Sequence, residues 1–314
     1  MRTLFFGAGP LASVYAHLFL QAGADVTVLA RGERYDWLQK NGLILVNEVT
    51  GEQGSSPVDV VNELKPRDAY DLVIVLIRKN KLPPVFEILA ANPNIENILF
   101  IGNNARGFDQ YLKHLPAEKM LFGFPGAGGG IREQIVHYAD REGPKKKRRS
   151  VTIGEMDGLV KERTLAVKSL FESAGVPADL TVDIDSWLKY HAALVIPLAC
   201  ALYKHNCDNY QAANDKEVLR AMVRSAREGG RVLRALGFRK RQPFEFNLFY
   251  WLPEFMSMMA VGRLLRSKFA EVAFAMHARA AREEMKDLAR ELQEISTNTS
   301  VETPNMDRLR SFIE

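Results

Sequence analysis

The chain opens on a short apolar strand, Arg2-Thr3-Leu4-Phe5-Phe6, that runs straight into Gly7-Ala8-Gly9-Pro10-Leu11-Ala12. A G-x-G-x-x-A turn between an apolar strand and a helix is the corner where a dinucleotide pyrophosphate rests on a helix N-terminus. Gly7 is expected to permit the tight turn and Gly9 to let the backbone approach the phosphates. Ala12 keeps the helix close to the sheet, and Ala8, Pro10 and Leu11 complete the cofactor-binding corner. Residues 11–22 have the spacing of an amphipathic helix, Gly23 can cap it, and Asp25-Val26-Thr27-Val28-Leu29-Ala30 reads as a second strand. A βαβ start of this kind predicts an α/β class with a mostly parallel sheet.

The residues after the second strand bear on which dinucleotide is held. A site for NAD places an Asp or Glu there to accept from the ribose 2′-hydroxyl. Here the position belongs to Arg31, followed by Gly32, Glu33 and Arg34. A guanidinium offers planar, charge-assisted donors to a 2′-phosphate and no acceptor for a hydroxyl. The expectation is NADP, held by Arg31 with help from Arg34. The alternative is that Arg34 is solvated and Glu33 turns in to serve NAD.

A length of 314 residues suits two domains rather than one core. An apolar content of 47% and a charged content of 25% are those of a globular protein, and a net charge of +4 is too small to point to nucleic acid. The longest apolar run, 192–202, is too short to span a bilayer and contains Pro197. The first strand begins at residue 2, leaving no room for a targeting segment, and Cys200 and Cys207 make no disulfide framework. The expectation is a cytoplasmic protein that acts on a small molecule, with no membrane and no nucleic-acid partner.

Strands at 42–46, 70–77, 98–101 and 120–124 alternate with helices near 35–41 and 82–91, which predicts a Rossmann domain over 1–157. Within it, 126–130 reads as a flexible glycine stretch. Residues 134–138 and 150–154 read as two antiparallel strands joined by the polar run 140–149. The basic cluster Lys145-Lys146-Lys147-Arg148-Arg149 lacks interleaved aromatics and reads as a solvated hairpin tip, with a nucleic-acid patch as the alternative. Beyond residue 158 helical spacing takes over, at 159–174, 185–204, 214–236 and 253–296, punctuated by Gly175, Gly237 and Pro243. An all-α domain over 158–314 is expected to hold substrate and to form a homodimer, with a loosely held tail after Thr297.

That second domain must supply a proton donor and substrate anchors, in the crevice facing the carboxyl edge of the sheet. Asp185-Ser186-Trp187-Leu188-Lys189-Tyr190-His191-Ala192-Ala193 holds one lysine in an otherwise apolar helical segment. In a closed cleft its ammonium would be partly desolvated and a better acid; on a surface it would snorkel. His191 points away from it on a helix and reads as structural. Cys200, His205 and Cys207 match no common zinc spacing, so no metal is expected and the cysteines read as buried thiols. Phe244, Phe246, Phe249, Tyr250 and Trp251 read as packing, with a pocket lining as the alternative, and Met256, Met258 and Met259 would make a pocket adaptable.

These segments resemble the ketopantoate reductase (2-dehydropantoate 2-reductase) family. The resemblance is carried by the Gly7 to Ala12 turn, Val28-Leu29-Ala30-Arg31-Gly32, Asp71-Leu72-Val73-Ile74-Val75 ahead of a basic residue, Gly102-Asn103-Asn104, Thr152-Ile153-Gly154-Glu155 and Trp187-Leu188-Lys189. It reaches almost to residue 295. It implies reduction of a 2-oxo acid with NADPH by a Rossmann domain and a helical domain like that of 6-phosphogluconate dehydrogenase. By this resemblance Lys189 donates a proton to the developing alkoxide, and Asn103 lies near the nicotinamide ribose. Arg78 retains the cation of a cleft-lining lysine. Glu271 binds the substrate hydroxyl, with a solvated helix carboxylate as the alternative.

The chain also departs from the family. Two asparagines that face the substrate, four and eight residues after the lysine, are here Ala193 and Pro197. The serine-rich entry to the glutamate helix becomes Ser257-Met258-Met259. Ala193, Pro197 and Met259 together imply a more apolar substrate wall and a different carbonyl substrate. An imine or opine-type reductase and a catalytically silent NADP-binding sensor or partner protein are the alternatives.

Overall fold

A computed structural model describes residues 1–240 and 242–314. The chain divides into two compact units: Met1–Gly102 with Phe108–Ile184, and Asn103–Gly107 with Asp185–Glu314. The division therefore falls at 184/185 rather than at 157/158. Residues 158–184 stay with the first unit for two reasons: Phe171 packs edge-on against Tyr15 and Phe19, and the strand Ala178–Leu180 extends the first sheet.

The first unit contains β1 (Arg2–Phe6), β2 (Asp25–Leu29), β3 (Leu43–Asn47), β4 (Gln53–Ser56), β5 (Asp59–Val61), β6 (Tyr70–Val75), β7 (Ile95–Ile101), β8 (Met120–Phe124), β9 (Gly128–Arg132), β10 (Ile135–Ala139), β11 (Val151–Gly154) and β12 (Ala178–Leu180). Its helices are α1 (Pro10–Gln21), α2 (Glu33–Asn41), α3 (Pro83–Ala90), α4 (Asp109–Leu112) and α5 (Glu162–Ser173). Eight strands form one sheet in the order β12-β11-β8-β7-β6-β1-β2-β5, parallel throughout except where β11 meets β8. Leu72, Val73 and Ile74 in β6 are fully buried, as a strand covered on both faces requires.

The remaining four strands form a second sheet, β4-β3-β10-β9, against which α1 also packs. Covered on two sides, α1 buries Ser13, Val14, Tyr15, Ala16 and Phe19 and is not amphipathic as its spacing suggested. The second sheet also corrects the reading of 126–154. The glycine stretch is largely strand β9, and β10 pairs with β9 and β3, whereas β11 joins the first sheet through β8 and β12. The two segments expected to pair with each other thus lie in different sheets, and the basic run belongs to the loop between them. There Arg148 binds Asp140 and the Gly175 carbonyl, while Arg149 binds Glu142.

The second unit is helical: α6 (Ile184–Lys204), α7 (Asn209–Asn214), α8 (Lys216–Ala235), α9 (Phe244–Trp251), α10 (Glu254–Leu265), α11 (Lys268–Ala270), α12 (Met276–Ala280), α13 (Arg282–Ser296) and α14 (Pro304–Arg310). The helix expected over 253–296 is broken several times, once by a π turn at Glu271–Ala275. The α6 and α9 helices approach α8 at its Gly229-Gly230 pair. A β-carbon on Gly229 would lie 2.9 Å from that of Ala193, and one on Gly230 would collide with the Tyr250 hydroxyl. The aromatic cluster divides accordingly: Phe246 is fully buried, while Phe244 and Trp251 stand exposed.

The tail is not loose. Buried Glu228 accepts hydrogen bonds from the backbone N–H groups of Asn305 and Met306, the open N-terminus of α14, and Leu309 and Ile313 enter the core. Both cysteines are free and buried, and burial pushes the Cys200 thiol up to about 12. Among the described residues no helix is long and apolar enough to cross a membrane.

Candidate active site

In the first unit the glycine turn is built for close approach. Gly7 sits at φ +104°, a left-handed conformation, and a β-carbon there would press on Ile77 at 3.2 Å. Gly9 differs: its φ of −67° suits any residue, yet the space a β-carbon would occupy is open. Following it, α1 begins at Pro10 with no side-chain cap on its first N–H groups and no acidic residue in its first turn. Unsatisfied N–H groups and the positive end of the helix dipole, beside an open space over Gly9, suit a diphosphate. Ala8 is buried, Ala12 is fully buried, and Pro10 and Leu11 are half-buried at the turn.

The cations around this corner have different duties. Arg31 is exposed just past β2, and Arg78 is exposed just past β6. Arg34 is neither solvated nor available for a 2′-phosphate. Its guanidinium donates to the Ala8 carbonyl, to Ser13 Oγ at 3.2 Å and to the Gln134 carbonyl. It thus pins the β9–β10 turn to the glycine loop, and burial lowers its pKa. Opposite, the Gly126 N–H donates to the buried Tyr15 hydroxyl at 3.1 Å, and burial holds that phenol well above its usual range.

The second unit gathers polar side chains around Asn103–Gly107, the segment that follows β7. Lys189 is only 4% exposed, ion-paired with Asp185 one turn earlier on α6, and its ammonium lies 4.9 Å from the centre of the Phe238 ring. A β-carbon on Gly107 would come within 3.4 Å of Lys189 Nζ and 3.5 Å of Asp185 Oδ1, so one end of the loop rests on this pair. Asn104 folds the loop on itself, donating to the Gly107 carbonyl at 2.8 Å and accepting from its N–H at 3.1 Å. The rest is gripped by α13. Asn103 Nδ2 donates to Glu284 Oε1 at 3.2 Å, the Ala105 N–H donates to Glu291 at 3.2 Å, and Arg106 pairs with Glu294. These three glutamates share one face of α13.

The other expected residues lie in different surroundings. Glu271 accepts from the Tyr210 hydroxyl and from Lys268 Nζ, each at 2.9 Å, with its side chain 34% exposed. That is the setting of a solvated helix carboxylate. Ala193 is buried against Gly229, and Pro197 lines a small cavity with Leu292, Met306 and Leu309 beneath α13 and α14. Met259 is 68% exposed on α10. The three therefore do not form one apolar wall, because helix packing claims the first two. His191 stacks on Trp187, their ring centres 5.2 Å apart, and His205 pairs with Asp215.

Asp185, Asn104, Gly107, His277 and Glu284 had no assigned part in the sequence reading. The signals available were weak: an acid one turn before a buried lysine, and a repeated asparagine ahead of a glycine.

Comparison with known proteins agrees with this architecture. Residues 3–156 match the family model described as Ketopantoate reductase PanE/ApbA. A 2-dehydropantoate 2-reductase of Mesorhizobium japonicum is 25% identical over 209 residues, a stretch spanning 60% of this chain and 63% of that relative's length. A crystal structure of 2-dehydropantoate 2-reductase from Geobacter metallireducens shares the fold, with a TM-score of 0.81 and 17% identity over 100% of this chain and 99% of its own. So does a ternary structure of D-mandelate dehydrogenase with NADH and anilino(oxo)acetate, at a TM-score of 0.77 and 14% identity over 100% and 97%. The glycine corner, the mostly parallel sheet and the helical unit thus agree with the ketopantoate reductase fold, and the first unit carries the match to that family's model.

Proposed function

We propose that this chain is an NADP-dependent reductase of a 2-oxo acid or related carbonyl, with Lys189 as general acid. The observation that carries the reading is the sequestered, oriented ammonium of Lys189, fixed by Asp185 and packed on Gly107. A lone lysine held this way has one obvious use: its proton goes to the carbonyl oxygen as negative charge develops there. Asp185 holds the amine on line and Phe238 screens it from water.

The residues that would hold the cofactor are Gly7, Ala8, Gly9, Pro10, Leu11 and Ala12, with the N–H groups at the start of α1 cradling its diphosphate. Arg31, exposed past β2, suits a 2′-phosphate. When bound, the dinucleotide supplies the hydride. The name of the Mesorhizobium relative, and the NADH in the D-mandelate dehydrogenase structure, support a nicotinamide-dependent reductase of this chemistry.

The test is turnover of NADPH with a panel of 2-oxo acids. Lys189→Ala should cut kcat by about two to four orders of magnitude and leave NADPH affinity unchanged; undiminished turnover would remove Lys189 from the mechanism. NADPH should bind more tightly than NADH, and Arg31→Ala should erase that difference.

A further inference from the structure

Asn103 Oδ1 and Glu284 Oε2, both in the helical unit, are left without hydrogen-bond donors among the described residues. Asn103 gives its Nδ2 hydrogens toward Glu284 Oε1, while the buried Oδ1 of the same amide accepts nothing among the described residues. Glu284 Oε2 is also buried and accepts no hydrogen bond among the described residues; His277 Nε2 lies 3.8 Å away, within ion-pair range of a protonated imidazole and beyond hydrogen-bond reach. The Glu284 side chain is 6% exposed, so bulk water does not fill the place. The amide has one sensible orientation, since an ionised carboxylate only accepts and must face the NH2 group. Its oxygen is thereby turned outward from Glu284.

Buried acceptors are as a rule paired, and leaving one without a donor costs about 1–3 kcal/mol. Two such atoms on residues in direct contact point to a group that comes from outside the chain. The loop links them to the proposed proton donor: from Asn103 to Gly107 the backbone spans at most about 14 Å, and its far end rests on Lys189 and Asp185.

We infer that Glu284 is a positioning residue for Asn103, and that Asn103 Oδ1 and Glu284 Oε2 each receive an O–H or N–H hydrogen of the bound ligand. An anionic group is disfavoured at this spot by the carboxylate; a pair of hydroxyls, a carboxamide or an amine carries the two hydrogens that the two atoms need. The inference rests on the reductase reading, under which the donor belongs either to the nicotinamide half of the dinucleotide or to the carbonyl substrate.

Glu284→Gln tests it, because the change keeps the volume, leaves an oxygen for Asn103 and replaces the open acceptor with a donor. Three readouts are needed: NADPH affinity by fluorescence titration, affinity for 2′-phospho-ADP-ribose (which lacks nicotinamide), and kcat and KM for 2-oxo acids. NADPH binding weakened about ten- to hundredfold with the fragment unaffected assigns the donor to the nicotinamide half. Unchanged nucleotide binding with KM raised by a similar factor and kcat less affected assigns it to the substrate. Either outcome supports the inference. If Glu284→Gln does not fold, as judged by its melting transition, Asn103→Ala carries the same comparison. All three quantities within twofold of wild type would overturn it. Should that happen while Lys189→Ala still abolishes turnover, the inference alone falls; a wild-type chain that binds no nicotinamide dinucleotide would take the reductase reading and this inference down together.

Discussion

The two units offer a ligand different materials. In the first, the surface open to a ligand would be backbone: an open space over Gly9 and uncapped N–H groups at the start of α1. Its side chains work behind that surface, as Arg34 does in pinning the β9–β10 turn. In the second, the candidate groups are side chains brought together from segments as far as 188 residues apart, and most of them are also part of the core. Function and stability should therefore separate cleanly in the first unit and be entangled in the second.

The largest expected effect tests that entanglement. Leu309, 1% exposed on α14, closes the core beside Pro197, so Leu309→Ala should cost about 2–5 kcal/mol in denaturant unfolding. A change within experimental scatter would mean that α14 is dispensable. Next comes Gly230→Ala, which drives a β-carbon into the Tyr250 hydroxyl and to 2.8 Å from the Phe246 ring. It should lower stability by about 1–3 kcal/mol, and Tyr250→Phe in the same chain should recover part of the loss.

Gly9→Ala sharpens the contrast from the other side. Its backbone conformation already suits alanine and its β-carbon meets nothing, so stability should hold or rise by about 0.4–1 kcal/mol. Dinucleotide affinity should nevertheless fall by about tenfold, or ~1.4 kcal/mol, because the new methyl stands where the diphosphate approaches. Binding unaffected by this change would place the dinucleotide elsewhere.

The smallest effect belongs to Asp215, which caps α8 by accepting from the N–H groups of Glu217 and Val218 and also binds Lys204 and His205. Burial pushes its carboxyl up, but those hydrogen bonds outweigh burial and hold it at about 2, below its ordinary 3.8. A depressed carboxylate stabilises the fold above its unfolded value and loses that contribution as pH falls toward its folded one. Asp215→Ala should thus cost about 1 kcal/mol at neutral pH. The difference from wild type should shrink as pH falls from about 4 towards 2, the window these values define.

Legibility followed the range of the interactions. Strands β1, β2, β6, β7 and β8 were readable because a strand buried on both faces writes a continuous apolar run. The second sheet was not: β3 pairs with β10 some ninety residues later, and nothing local distinguishes β9 from a flexible glycine loop. The lysine of α6 stood out as the one lysine in the apolar stretch between Asp185 and Lys204, whereas Glu284 looked like one more acid on an acidic helix. The substrate wall failed for a related reason. Helical spacing correctly placed Ala193 and Pro197 on one face, but it is silent on what that face touches, which proved to be α8, α13 and α14.

By itself the sequence determined the glycine corner between β1 and α1 and the change from alternating α/β to helical structure. Both depend on backbone conformations and apolar periods that act within a turn or a strand. Only the tertiary structure decided that Asn103–Gly107 joins the helical unit, that Lys189 is held by Asp185, and that Asn103 meets Glu284 of α13 with an acceptor left open on each. Those contacts are made across the fold, and burial gives their polar atoms a weight that no local pattern records.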